Sequence, residues 1–222
     1  MKIWVIGAGG FGARAVERLL SKNPSASLMV VDTDQRSLLR CVRNAVLHHG
    51  DGVTFLYDNL KERPSTDDPD WIIPAAPVHV AFQWIMKKAS QLRGIRSIPV
   101  PSSLEALTPS YVRGKGGCLY LSQADFLCPD DCPEPEERCA KTGKKRLSSL
   151  FDTLQRADIP GFFSIVIRSR QLAPGVGGYR PVDLFAAYDV VAALDEGQSA
   201  VVSTACRCHA VADALVITST HA

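Results

Sequence analysis

The run Gly7-Ala8-Gly9-Gly10-Phe11-Gly12 has the spacing G-x-G-x-x-G. Each glycine in that spacing answers a different demand of phosphate binding. Gly7 permits a tight turn out of a strand. Gly9 lets the backbone approach a pyrophosphate with no Cβ in the way, and Gly12 lets the next helix pack close to a sheet. The helix N-terminus then offers free N–H groups and a partial positive charge to the phosphates. Asp32 lies twenty residues beyond Gly12, at the end of a second apolar run. That is the place for a carboxylate that bonds the hydroxyls of an adenosine ribose. An acid there repels a 2′-phosphate and so favours NAD over NADP, while Arg36 nearby works against that preference. The expected cofactor contacts are therefore the loop Gly7, Ala8, Gly9, Gly10, Phe11 and Gly12, together with Asp32. The alternative is a strand–helix–strand unit whose glycines bind nothing.

A second constellation is made of thiols. Cys128, Cys132 and Cys139 stand in the spacing C-x3-C-x6-C, with Cys118 ten positions upstream. Cys206 and Cys208 lie two apart on a predicted strand, which turns both side chains the same way and His209 the other. Seven cysteines are many for a chain expected in a reducing compartment, where structural disulfides are rare. Residues 114–146 are rich in Gly, Pro, Cys and charge and show little apolar periodicity, and structural metals organise such segments. Four soft ligands can be drawn from Cys128, Cys132 and Cys139, with Cys118, Cys206 or Cys208 as the fourth. Zinc or an iron–sulfur cluster suits such a set. Against this, no C-x2-C pair is present, and free thiols with one reversible disulfide explain the same residues. Cys41 falls on a predicted helix as a core residue.

A second glycine-rich run, Pro174-Gly175-Val176-Gly177-Gly178, follows a predicted strand and precedes a predicted helix. Loops at the carboxyl ends of strands line the ligand crevice of an open α/β sheet. The amides of Gly175, Gly177 and Gly178 could hold an anionic substrate there, assisted by Arg180, Arg168 or Arg170. The alternative is a connection whose glycines only permit its turns. His79 follows the fourth predicted strand and could exchange a proton beside a hydride transfer, although a capping or surface histidine is the commoner use of such a residue. His48 and His49 end a predicted helix, where imidazolium suits the dipole. Tyr111 and Lys115 have dehydrogenase spacing but no helix to carry it. No G-x-S-x-G, G-x-x-x-x-G-K-[ST] or H-E-x-x-H is present.

The elements that must position these residues follow from periodicity. Lys2–Ile6 reads as a buried strand, and Ala13–Ser21 as a helix with Ala15, Val16, Leu19 and Leu20 on one face. Ser27–Val31 reads as a second strand and Gln35–Leu47 as a second helix. Val53–Tyr57 reads as a third strand, 64–70 as a loop and Trp71–Ile73 as a fourth strand. Pro77 opens a helix to about Ser90. Beyond Gly94 a short strand is expected at Ser97–Val100, a strand at Phe162–Ile167 and a helix at Val182–Leu194. Two last strands, Ala200–His209 and Ala214–Thr218, suggest a hairpin at a sheet edge.

Composition narrows the class. A chain of 222 residues with 46% hydrophobic and 22% charged residues is an ordinary globular sequence. A net charge of +2 with no strongly basic face argues against nucleic acid. The acid-rich stretch 130–137 and the basic stretch 141–146 read as a solvated loop. No apolar run is long enough for a membrane span, and the N-terminus does not read as a signal peptide, so a cytoplasmic location is expected.

On the residues Lys2–Gly12 and Ser27–Asp34, the chain resembles the NAD(P)-binding Rossmann superfamily. The run Asp70–Pro77 is similar to the fourth strand and following loop of such dehydrogenases. The resemblance covers residues 1–95. The same fingerprint occurs in the nucleotide-sensing domains of potassium-transport regulators. It implies that Gly7, Gly9, Gly12 and Asp32 contact the cofactor, with Phe11 and Ala75 close to it, and it allows a homodimer. The expected fold is a doubly wound, mostly parallel α/β sheet with a Cys-rich loop insertion at 114–146. Residues 1–95 would form the dinucleotide-binding half, and 96–222 a second half completing the sheet. The expected function is that of an NAD-dependent oxidoreductase acting on a small anionic substrate. The alternatives are a non-catalytic NAD(H)-sensing module and a metal or redox carrier on the same scaffold.

Overall fold

In the computed structural model of the protein, residues 1–41, 45–60 and 65–219 are described. The first strand, β1 (Lys2–Ile6), is an apolar run with Ile3, Trp4, Val5 and Ile6 all buried, as the centre of a parallel sheet requires. The chain turns at Gly7 into α1 (Gly10–Lys22), which lays Ala15, Val16 and Leu19 into the core. β2 (Ser27–Asp32) returns parallel to β1, in register from Lys2–Ser27 to Ile6–Val31. A short α2 (Gln35–Leu38) and one 3-10 turn (Leu39–Cys41) lead on to β3 (Ala45–His49), parallel to β2. α3 (Gly52–Asn59) then crosses to β4 (Trp71–Pro74), which pairs with the other side of β1. The sheet is parallel, in the order β3-β2-β1-β4.

Two expectations in this half are corrected. The helix expected over 35–47 ends within its first turns, and its later part is β3; residues 42–44 lie outside the described residues. Ala45 and Leu47 pack on the core while Val46 is exposed, and a period of two suits a strand. His48 and His49 accordingly end a strand. The strand expected at Val53–Tyr57 lies inside α3. Its β-prone composition is overruled by a cap, since Asp51 accepts the Thr54 N–H at 2.7 Å, and by the burial of Phe55 and Leu56. Residues 65–70 form the expected loop, and Pro64 lies outside the described residues.

The second half builds a sheet of its own. After α4 (Val80–Ala89) come β5 (Gly94–Ile98), β6 (Ser110–Arg113) and β7 (Leu119–Ser122), then α5 (Leu150–Gln155) and β8 (Phe162–Arg168). A small hairpin of β9 (Arg170–Ala173) and β10 (Val176–Gly178) precedes α6 (Pro181–Ala192), β11 (Ser199–Ala205) and β12 (His209–Thr218). The order is β6-β7-β12-β11-β8, with β5 also on β12. β8 and β11 run parallel, and the other pairs are antiparallel. The final hairpin is thus the middle of this sheet and not its edge. β12 is long enough for β7 to pair along His209–Ala212 and β5 along Ala214–Thr218.

The molecule is mixed α/β, with one parallel and one mixed sheet. They share a core in which Trp4 and Phe55 from the first half meet Trp84 of α4, Phe185 of α6 and Val202 of β11. The expected loop at 114–146 starts later than anticipated, because 115–117 is a 3-10 turn and 119–122 is β7. Residues 123–149 form no helix or strand, and Arg138 and Lys145 make an isolated bridge there. No helix among the described residues is long and apolar enough to cross a membrane.

The closest backbone approach in the first half is between α1 and the turn that feeds it. A Cβ on Gly12 would stand 1.9 Å from the Gly7 carbonyl oxygen. Gly12→Ala is therefore expected to lower stability in urea unfolding by about 1–3 kcal/mol, the usual cost of overpacking. A variant as stable as the parent would contradict this packing.

Candidate functional site

The glycine turn sits where β1, β2 and β4 end. Gly7 has φ 109°, a conformation open to glycine, and a Cβ there would lie 2.7 Å from the Ala75–Ala76 backbone. Its N–H donates to Val31 O at 2.8 Å. Asp32 ties the turn down from β2: Oδ2 accepts the Ala8 N–H at 2.5 Å and Oδ1 accepts the Asp34 N–H at 2.8 Å. Gly9 is different. It caps α1 with φ −62° and ψ −168°, which any residue can adopt, and a Cβ there would meet nothing within 4 Å. No side chain caps α1 and no acid lies in its first turn, and Gly10 is exposed. Phe11 is 67% exposed, with the Arg14 guanidinium 4.8 Å above its ring. Of the expected cofactor contacts, Gly7, Gly12 and Ala75 are fixed by mutual packing, while Gly9, Gly10 and Phe11 present an open face.

Two cavities adjoin this turn. The smaller, about 210 Å³, is lined by Phe11, Ala15, Ile73 to Ala76 and the 175–177 run. The larger, about 740 Å³, shares Phe11, Gly175, Val176 and Gly177 with it and extends to the 123–149 segment.

The second glycine run is a β-hairpin rather than an open anion cradle. Gly175 donates its N–H to Cys132 O at 3.1 Å, and a Cβ there would stand 1.7 Å from Asp130 O. A Cβ on Gly177 would press on Ser169 Oγ, and one on Gly178 on Ile73 and the Ile72 carbonyl. Gly178 packs the hairpin against β4, where Ile72 and Tyr179 exchange backbone hydrogen bonds of 2.8 and 3.0 Å. Arg180 lines neither cavity. It caps α6 together with Asp183, which also receives Arg170 Nη1 at 2.6 Å. Burial opposes ionisation of Asp183, but the hydrogen bonds from Arg180 and Arg170 outweigh it and hold its carboxyl below the usual range. Arg168 lies over the Phe151 ring.

His79 is the N-cap residue of α4 and is 7% exposed. Its Nδ1 lies 2.9 Å from Asp213 Oδ2 and its Nε2 2.9 Å from Thr204 Oγ1. Both ring nitrogens are therefore engaged with the second sheet, and the residue lines neither cavity. The position expected beside a nicotinamide is instead a buried polar tie between the two halves. Asp213 and Thr204 carry no motif in the sequence, since each lies within a largely apolar strand far from His79.

The thiols divide clearly. Cys128, Cys132, Cys139, Cys206 and Cys208 all line the larger cavity. Cys118 does not; it sits against Gly114, with its Sγ 3.6 Å from Lys115 O. Cys41 is buried in the core as expected. Cys206 and Cys208 flank the turn between β11 and β12 instead of lying on a strand, and His209 lines the same cavity. Burial, reinforced by the Glu134 carboxylate, pushes the Cys206 thiol up to about 12. Burial, then the neighbouring Cys132, Cys208 and Cys139, also raises Cys128. Cys139 is lowered by the hydroxyl and amide of Thr142. Arg146, of the basic run 141–146, is not simply solvated: it donates Nη1 to Cys208 Sγ at 2.5 Å. Among the described residues, no group of three or more His, Cys, Asp or Glu is arranged to hold a metal ion as it stands.

Residues 81–218, from α4 to β12, match the family described as AF_1314_C, "Uncharacterized protein, C-terminal domain". The chain belongs to this family. The AF_1314_C match includes the whole mixed sheet and the cysteine-bearing segment and leaves the glycine turn outside it. An uncharacterized protein of Archaeoglobus fulgidus is 28% identical over 225 residues, covering 95% of this chain and 97% of that protein, so the likeness spans both halves. No solved structure matches the chain.

Two outcomes follow. His79→Ala leaves Asp213 and Thr204 without their shared partner and is expected to cost about 1–3 kcal/mol in urea unfolding; an unchanged midpoint would refute the tie. In reduced, chelator-treated protein at neutral pH, iodoacetamide should modify Cys139 well before Cys206, read by peptide mapping. Equal rates would contradict the environments described for them.

Proposed function

We propose that the protein binds NAD(H) on the glycine turn and is an oxidoreductase whose small anionic substrate occupies the larger cavity. The observation that carries this reading is Gly9. The fold itself demands Gly7 and Gly12, since a Cβ at either would collide with backbone. Nothing in the fold demands Gly9, whose missing side chain leaves space only for something from outside. That space lies over the uncapped N-terminus of α1, where backbone amides and the helix dipole favour a pyrophosphate.

The parallel order β3-β2-β1-β4 supports the same reading, being that of the first half of a Rossmann unit. The strand order reverses between β1 and β4, and ligands of such sheets bind at that reversal. Asp32 stands at the tip of β2. Each of its oxygens accepts one backbone N–H and keeps a lone pair for a ribose hydroxyl. The acid favours NAD over NADP. Lys144, Lys145 and Arg146 line the larger cavity and suit an anionic substrate. In this reading the segment around Cys128, Cys132 and Cys139 is an insertion that walls the substrate space.

One observation favours the second reading, an NAD(H)-sensing module without turnover. The His79 ring is committed on both nitrogens to Asp213 and Thr204, so it is not free to exchange a proton with a substrate.

Equilibrium titration separates these possibilities. NADH should bind, and more tightly than NADPH. Gly9→Ala should weaken NADH at least about tenfold, some 1.4 kcal/mol, while keeping the parental urea midpoint. No NADH binding, or equal binding by Gly9→Ala, would overturn the dinucleotide reading. Bound NADH without hydride transfer to any dye acceptor would select the sensing module.

A further inference from the structure

Among residues 123–148 the apolar burial is confined to Ala124. A segment of that length with no helix, no strand and almost no apolar core needs another cross-link to hold one shape. The residues by which it lines the larger cavity include Cys128, Cys132 and Cys139, and the β11–β12 turn adds Cys206 and Cys208.

The surroundings of Cys132 and Cys208 are suited to thiolates. Glu134 donates its N–H to Cys132 Sγ at 3.4 Å, and it does so from φ 46°, a left-handed conformation that is costly for glutamate. The Cys132 carbonyl is itself clamped by Gly175 N–H at 3.1 Å and Gln171 Nε2 at 2.6 Å. Cys139 lies in a closed loop, its N–H on Lys144 O and its carbonyl on Gly143 N–H, both at 2.9 Å. Arg146 places a guanidinium on Cys208 Sγ and is anchored by the Pro135 and Glu136 carbonyls. Backbone amides and a fixed cation around sulfur are the outer contacts that stabilise metal-bound thiolates.

We propose that Cys128, Cys132, Cys139 and Cys208 form a tetrathiolate site for a single soft divalent cation of the zinc class. Each thiol gives up its proton as its sulfur bonds the metal, so four protons leave and the cation is held in tetrahedral sulfur coordination. Ligation draws the 123–149 segment inward, which its lack of regular structure permits. Cys206 stays outside the set because its turn is closed by the Glu134 carboxylate, which accepts the Arg207 N–H at 2.5 Å, and Cys118 because it lies off the cavity. The site does not rest on dinucleotide binding.

The test is titration of the reduced, metal-free full chain with Co²⁺, whose bonds to thiolate give an intense charge-transfer absorption. The band should saturate at a single equivalent and vanish on addition of Zn²⁺. It should be lost in Cys132→Ser and Cys139→Ser and kept in Cys118→Ser and Cys206→Ser. Zn²⁺ should also raise the melting temperature of the parent and of Cys118→Ser. A parent protein that gives no band with Co²⁺ and no thermal shift with Zn²⁺ overturns the site, whatever the variants do. So does a band that survives both Cys132→Ser and Cys139→Ser, or one lost in Cys118→Ser.

Discussion

Everything at the candidate site depends on one close backbone approach. α1 can leave β1 at its steep angle because Gly12 lies against the Gly7 carbonyl with no room for a methyl group. Gly7 in turn lies against Ala75 and Ala76, which fixes the end of β4 to the end of β1. Asp32 closes the same knot from β2 through the Ala8 amide. Three strand ends and one helix N-terminus are thereby held together.

The second constraint is the shared core. α4 and α6 lie between the sheets, so Trp84 and Phe185 pack edge to face at 5.4 Å within the apolar cluster that also holds Trp4 and Val202. His79 adds a directional element to that apolar contact, because both its nitrogens find partners on the second sheet. A buried network with every member satisfied specifies one arrangement more sharply than apolar contact alone. The larger cavity is lined by Phe11, the 175–177 run, the β11–β12 turn and the segment that carries the thiols.

How much of this was legible in the sequence depended on how local the determining forces were. β1, the glycine turn, α1 and β2 were readable because strand, glycines and amphipathic helix obey short-range rules. β3 was not, because it is an edge strand with a weakly alternating face and takes its structure from pairing with β2. α3 carries strand-like residues and is a helix because of the Asp51 cap and the burial of Phe55 and Leu56. The separate second sheet was hidden because β12 joins, besides its hairpin partner β11, two strands from distant parts of the chain. Among site residues, the cysteines of the 123–149 run and of the β11–β12 turn were legible by type, and their convergence on one cavity was not. Gly175, Gly177 and Gly178 were legible as glycines, but only the fold shows that they are needed to pack a hairpin. His79 was legible as a chemical group, and Asp213, 134 residues away, determines what it does.

The account stands or falls on what occupies the open face above Gly9. Amide hydrogen exchange, followed residue by residue with and without NADH, tests this directly. NADH is expected to slow exchange at the amides of Gly9 to Ala13 and to leave the β5–β6 region unchanged. Binding of NADH with no protection in the glycine turn, or protection confined to the second sheet, would contradict it.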